Sequence, residues 1–120
     1  MPHQAISTHI AQIYKSTYGR GPTKIATYLL LDVVLIVLED LNTPAQDTLT
    51  ELGDYDIVEA AHQRLHQAMV PQMTTAIEQV LGRSVRDCVP GFNVGAGAAT
   101  NTFLLAPQDD DDRPAAPPAS

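Results

Sequence analysis

The sequence predicts an α+β protein: a two-layer fold in which a four-stranded antiparallel sheet carries its helices on one face. Segments with helical spacing of apolar residues and runs rich in Val and Ile follow one another in the order α-β-β-α-α-β-β. The length of 120 residues and the 44% hydrophobic content suffice for one modest core. We assign residues 1–106 to a single domain and residues 107–120, rich in Asp, Pro and Ala, to a disordered tail.

The first helix is expected over residues 4–18, where apolar side chains recur every three to four positions. Gly19 suits the left-handed position just past a helix end, and Pro22 opposes a helical continuation. The chain should therefore leave the helix here and enter a different element.

Residues 25–39 predict two strands, because Val and Ile are dense and one strand of this length is unusual. We expect a hairpin of 25–31 and 33–39 with its turn at Leu31-Asp32, where Asp32 serves as a turn residue. A buried helix is the competing interpretation, since short apolar runs are ambiguous.

Two further helices follow. Thr43 can cap the first of them, with Pro44 at its first position and Gly53 at its end. The second should run to Leu81, with a kink or break at Pro71. The side chains expected to face inward are Ala45, Leu49 and Leu52 in the shorter helix and Val58, Ala61, Leu65, Met69, Ala76 and Val80 in the longer one.

The last two strands are expected over residues 83–89 and 100–105, separated by a flexible loop because residues 90–99 contain three glycines and a proline. Cys88, the only cysteine, is interpreted as a core residue. A single cysteine excludes an internal disulfide and fits a reducing compartment.

Both alternating sets of side chains in the predicted hairpin are apolar. We do not expect all of these side chains to point toward one helix layer, because side chains alternate across a strand; the set is Leu29, Leu31, Val34, Ile36 and Leu38. We therefore expect the second face of the sheet to be buried by another copy of the chain, which predicts a homodimer.

The charge excludes some classes of function. Seven basic and fourteen acidic residues give a net charge of -7, and residues 1–106 still carry -4. A large nucleic-acid footprint requires a basic face, so nucleic-acid binding is disfavoured. We find no signal peptide and no apolar stretch long enough to span a bilayer, which predicts a cytoplasmic protein with at most peripheral membrane contact.

A small basic region surrounds the segment Gly19-Arg-Gly-Pro-Thr-Lys24. Its glycines follow a helix and precede a strand, which is the wrong order for a phosphate-binding loop. The favoured interpretation is a helix end with a rigid turn. The alternative is a site for a small anion, a nucleotide or an acidic partner, whose candidate binding residues are Lys15, Arg20, Thr23 and Lys24.

His62 and His66 share one face of the long helix at metal-ligand spacing. Two ligands do not complete a zinc site, so we interpret them as histidines at the boundary of the apolar stripe and keep them only as weak metal candidates. No arrangement of nucleophile, base and acid is apparent. We therefore expect no catalytic residues and no cofactor, and a protein that is not an enzyme.

One set of residues is distributed over nearly the whole chain, and its most specific element is the segment Gly19-Arg-Gly-Pro-Thr-Lys24. The other members of the set are Tyr14, Lys15, Tyr18, Asp32, Glu39, Leu41, Ala45, Thr75, Glu78, Gly82 and Arg83. Over about residues 6–105 the chain thereby resembles the MpsC family of Na+-translocating system proteins. The resemblance implies an accessory or regulatory role beside a membrane-potential-generating cation or inorganic-carbon transport system, whose membrane subunits would be partners.

Overall fold

The computed structural model describes residues 1–108 and has the predicted element order. Residues 109–120, most of the predicted tail, lie outside the described residues. The helices are α1 (Pro2–Tyr18), α2 (Pro44–Glu51) and α3 (Tyr55–Leu81), and the strands are β1 (Lys24–Leu30), β2 (Val33–Glu39), β3 (Val85–Asn93) and β4 (Ala98–Leu105). The strands form one open antiparallel sheet in the order β1-β2-β4-β3.

The core lies between the helices and one face of the sheet. Alternate residues of β2 and β4 are buried, so these two central strands turn one face toward α1 and α3. Val34, Ile36 and Leu38 share this inner face, contrary to the expectation from sequence, because they lie two positions apart on one strand. The burial of each large apolar side chain stabilises the packing of the two layers by about 1.5–3 kcal/mol. The main core residues are Ile6, Ile10, Tyr14, Val34, Ile36, Leu38, Met69, Met73, Ile77, Phe103 and Leu105.

The segment boundaries that depend on local turn chemistry match the sequence predictions. Gly19 and Gly82 end α1 and α3 in the left-handed conformation. Thr43 begins α2 with a capping box, in which its hydroxyl accepts from the Gln46 N–H while the Gln46 side chain accepts from the Thr43 N–H. The hairpin turn lies at Leu31 and Asp32, as predicted, and the buried-helix alternative is wrong.

Of the predicted kink or break at Pro71, the break is wrong, because α3 continues from Tyr55 to Leu81 through Pro71. Pro71 is exposed on the outer side of the helix. Water can reach the carbonyl groups left unpaired there, and the packing of α3 on the core maintains the helix across the missing N–H.

The predicted inner faces of α2 and α3 also need correction. The buried stripe of α3 passes through His62 and His66, whereas Ala61 and Leu65 are only half-buried. In α2 the capping contact turns Gln46 inward, and Leu52 is 72% exposed. A hydrophobicity count places His on the polar side of a helix, but here buried asparagine partners make its burial favourable.

The predicted loop over residues 90–99 is wrong, because most of it is strand. β3 continues to Asn93, and only a short turn separates it from β4 at Ala98. Pro90 is tolerated because β3 is an edge strand, where a missing N–H need not break the ladder. Gly91 lies so close to β4 that a Cβ atom would stand 2.7 Å from the Thr100 hydroxyl.

Among the described residues, no helix covers the second face of the sheet. The ladder register places Ala26, Tyr28 and Leu30 of β1 on this outer face, opposite Val37, Leu35 and Val33 of β2. These side chains are half-buried by their neighbours or exposed. The outer face of the hairpin is therefore apolar except at its far end, where Lys24 stands opposite Glu39.

Candidate functional site

The candidate site is a group of buried polar side chains centred on Asn42. This residue follows β2, where Asp40 adopts a positive φ of 59° and the Leu41 N–H donates to the Gly97 carbonyl at 2.9 Å. The chain is thereby turned away from the sheet just before α2. As a result the Asn42 side chain, only 6% exposed, points into the space between α3 and the β3–β4 turn.

Asn42 connects three separate segments of the chain. Its Nδ2 donates to the Val94 carbonyl at 3.1 Å, and its Oδ1 lies 2.9 Å from His62 Nε2. Its own carbonyl accepts from Arg20 Nη1 at 2.7 Å. One residue therefore links the end of α1, the middle of α3 and the β3–β4 turn.

These contacts determine the protonation state of His62. Since Asn42 Nδ2 is the donor to Val94, its Oδ1 must accept, and His62 Nε2 carries the proton. His62 Nδ1 then accepts from the Tyr18 hydroxyl at 2.7 Å. Burial lowers the pKa of His62 and raises that of Tyr18, in agreement with a neutral imidazole and a protonated phenol.

One helical turn further along α3, a second histidine–asparagine pair repeats the arrangement. His66 Nε2 lies 2.8 Å from Asn101 Oδ1, and Asn101 Nδ2 donates to the Tyr14 hydroxyl at 3.0 Å. Asn101 is fully buried. Burial lowers the pKa of His66 and raises that of Tyr14 to about 12, so this chain of contacts is also uncharged at neutral pH.

Aromatic stacking joins the two pairs. Tyr14 stacks on Tyr18, Tyr18 on His62 and His62 on Phe92, with centroid separations of 5.6, 5.6 and 5.7 Å. Phe92 also meets His66 edge-on at 6.0 Å. The stack runs from α1 through α3 to β3, so it fixes the positions of all three elements relative to one another.

Cys88 lies beside this group, with its Sγ 3.6 Å from His66 Nε2. The set Cys88, His66 and Asn101 has the residue types of a cysteine-hydrolase triad but not its geometry. Asn101 and Cys88 face the same ring nitrogen, and the proton on that nitrogen is already donated to Asn101. Burial raises the pKa of the Cys88 thiol to about 11, which opposes a reactive thiolate.

An open cleft of about 640 Å³ borders His66 and Cys88 on the outer side of α3 and β3. Phe92 and Pro90 form its apolar wall. Glu59, Gln63 and Gln67 line it from α3. The cleft has the size of a small-molecule site, but it opens broadly to solvent.

In the predicted basic region, Arg20 differs from the other candidate binding residues. Arg20 is bound by the protein itself, because Nη2 pairs with Asp40 Oδ2 at 3.0 Å while Nη1 holds the Asn42 carbonyl. The hydrogen bond from Arg20 keeps the pKa of Asp40 below its usual value. Lys15, Thr23 and Lys24 are exposed, and the Thr23 N–H donates to the Glu39 carbonyl. An anion at Arg20 would compete with the Asp40 carboxylate and the Asn42 carbonyl for the guanidinium group.

The two histidines kept as weak metal candidates are engaged elsewhere. Both ring nitrogens of His62 and one of His66 contact Asn42, Tyr18 and Asn101. Residues 1–108 contain no group of three or more His, Cys, Asp or Glu side chains placed to hold a metal ion.

Sequence reasoning missed the asparagines. Asn101 has a usable signal, since it shares the inward phase of β4 with the core residues Phe103 and Leu105, and a polar residue there needs a buried partner. Asn42 has no such signal, because it lies in a connection between elements.

The architecture and this interior define a small α+β protein whose helices and open sheet are joined by buried neutral polar pairs. The family model described as "Na+-translocating membrane potential-generating system (MpsC)" matches residues 2–106, and the chain belongs to this family, which confirms the resemblance. No curated protein and no solved structure matches the chain significantly. None of the helices within residues 1–108 has the length and apolar character needed to cross a bilayer.

Replacing Asn42 by Ala should lower the free energy of unfolding by about 2–4 kcal/mol, because it leaves both the His62 N–H and the Val94 carbonyl without their partner. Urea unfolding measures the loss. Asn93→Ala is the matched control, since the Asn93 side chain makes one exposed contact to Ala96 N–H. If both variants lower the free energy of unfolding by the same amount, the buried hydrogen bonds of Asn42 do not have the stabilising role assigned to them.

Stability should fall as the pH drops below 6.5, the ordinary pKa of His. The folded protein holds His62 and His66 at lowered pKa, so the unfolded chain binds more protons in the window between 6.5 and the folded values. Urea unfolding at about pH 8 and about pH 5 measures the change. A double variant, His62→Gln with His66→Gln, should show a smaller decrease than the parent; an equal decrease would assign the effect to other groups.

Proposed function

We propose that this protein is a non-enzymatic accessory component of a Na+-translocating membrane system, and that it acts as a homodimer. The observation that carries the proposal is the apolar outer face of the sheet, which no described element covers. The family description supplies the membrane system. The buried polar pairs serve stability and orientation, while the outer face serves association.

The outer face has the composition of an interface. Tyr28, Leu30 and Val89 are 52, 61 and 51% exposed, and Leu35 lies between them on the central strand β2. Monomeric proteins rarely leave an apolar patch of more than a few hundred Å² open to water. A second copy fits this face because two such sheets can pack at the usual spacing of about 10 Å.

We place the proposed accessory role at the cytoplasmic side of the membrane, in keeping with the single cysteine of the chain. The membrane-spanning subunits of the system would be the partners, and a dimer would bring two equal surfaces to them. We propose association with these subunits and no chemical step on a substrate, because Cys88, His66 and Asn101 lack the geometry of a catalytic set.

Leu35→Glu should weaken the dimer by at least about tenfold in Kd, because it places a charge at the centre of the apolar face. Sedimentation over a micromolar dilution series measures Kd, and far-UV circular dichroism verifies the fold. Gln12→Glu adds the same charge to the exposed side of α1 and should leave Kd unchanged. A parent protein that stays monomeric throughout the series would refute the dimer.

The association itself is tested by affinity capture from solubilised membranes of cells that express the complete system. The tagged parent protein should retain the membrane subunits of that system, whereas Leu35→Glu should retain less if the dimer is the binding form. Recovery of the tagged protein without any of these subunits would contradict the accessory role.

A further inference from the structure

The turn of the β1–β2 hairpin contains an unusual residue. Leu31 has a positive φ of 36°, which is rare for a residue with a branched side chain and is normally left to Gly in a two-residue hairpin turn. Its side chain is also 97% exposed. Neither backbone preference nor burial within the protomer explains a leucine here.

Residues that are distant in sequence form hydrogen bonds to this turn. Arg83 donates to the Leu31 carbonyl at 2.8 Å and pairs with the Asp32 carboxylate at 2.6 Å. It also donates to the Ala106 carbonyl, while the Leu105 N–H donates to the Asp32 carbonyl. The arginine therefore fixes the conformation of the turn and neutralises its only charge.

The turn adjoins the end of the apolar outer face. Leu30 lies beside Leu31 and is 61% exposed, and Val33 follows on β2. The outward strand positions from Ala26 to Leu30 and from Val33 to Val37 are uncharged, and the charged pair of this face, Lys24 opposite Glu39, lies at the far end of the hairpin. A second copy of the chain would therefore meet an uncharged surface over most of this hairpin, which favours self-association over binding to a charged partner.

The area of the sheet alone is marginal for a stable dimer. Four strands spaced about 4.8 Å apart and about 25 Å long cover about 500 Å², so two faces would bury about 1,000 Å² in total. Specific interfaces seldom bury less than this. Contact with the exposed hairpin turn would raise the buried area above that limit.

We infer that Leu31 is a preorganised anchor of the dimer interface, held by Arg83 so that it packs against the second copy. This inference rests on the proposed dimer and names a residue that determines its affinity. A rigid, exposed apolar side chain loses little conformational freedom on binding, which is why such residues dominate interfaces.

Leu31→Gly distinguishes an effect on dimerisation from an effect on folding. It removes the apolar side chain, while Gly adopts the positive φ of the turn without strain. We expect its thermal midpoint under monomeric conditions to equal or exceed that of the parent, and its dimer Kd to rise at least about tenfold. Leu31→Asn, which also tolerates this backbone conformation, should behave in the same way. Leu52→Ala is the matched control, since Leu52 is 72% exposed at the end of α2, and it should leave Kd unchanged.

Sedimentation of the four full-length proteins distinguishes the outcomes. If the parent is a dimer and the Kd values of the Leu31 variants lie within about twofold of the parent's, the role of Leu31 as an anchor is refuted, while the proposed dimer is not. A monomeric parent would overturn both. Leu31-dependent binding to phosphatidylcholine vesicles, with unchanged dimerisation, would assign the turn to a lipid surface and also overturn the inference.

Discussion

The hydrogen bond between Asn42 and His62 is the contact on which the arrangement of helices and sheet depends. Its two partners lie 20 residues apart and are both buried, so neither can exchange the bond for water without opening the core. Through Asn42 the bond is connected to Arg20 and to the β3–β4 turn, and through His62 to Tyr18. A buried polar group left without its partner here would destabilise the fold by more than the hydrogen bond stabilises it. This difference in free energy disfavours other arrangements of the helices on the sheet.

The second pair extends this constraint along α3. His66 and Asn101 repeat the contact one turn away, and the Tyr14 hydroxyl completes it. A long helix packed only by Met and Ile side chains could slide or rotate with little penalty, whereas two fixed polar pairs define one register. The same pairs occupy imidazole and amide groups that would otherwise be available to a ligand.

Most of the element order could be predicted from sequence because its signals are local. Gly19, Thr43 and Gly82 mark boundaries through backbone and capping preferences that hold in any fold. The extension of β3 over Pro90 and the continuity of α3 through Pro71 could not be predicted, because each depends on which side of an element faces solvent. The histidine–asparagine pairs join residues 20 and 35 positions apart, so only the tertiary fold reveals them.

Long-range proton–nitrogen NMR of the imidazole rings tests this account most directly. At neutral pH, His62 and His66 should both appear as neutral rings protonated at Nε2, since Asn42 and Asn101 accept a proton there. Signals from charged rings, or from rings protonated at Nδ1, would contradict the proposed pairs and the packing that depends on them.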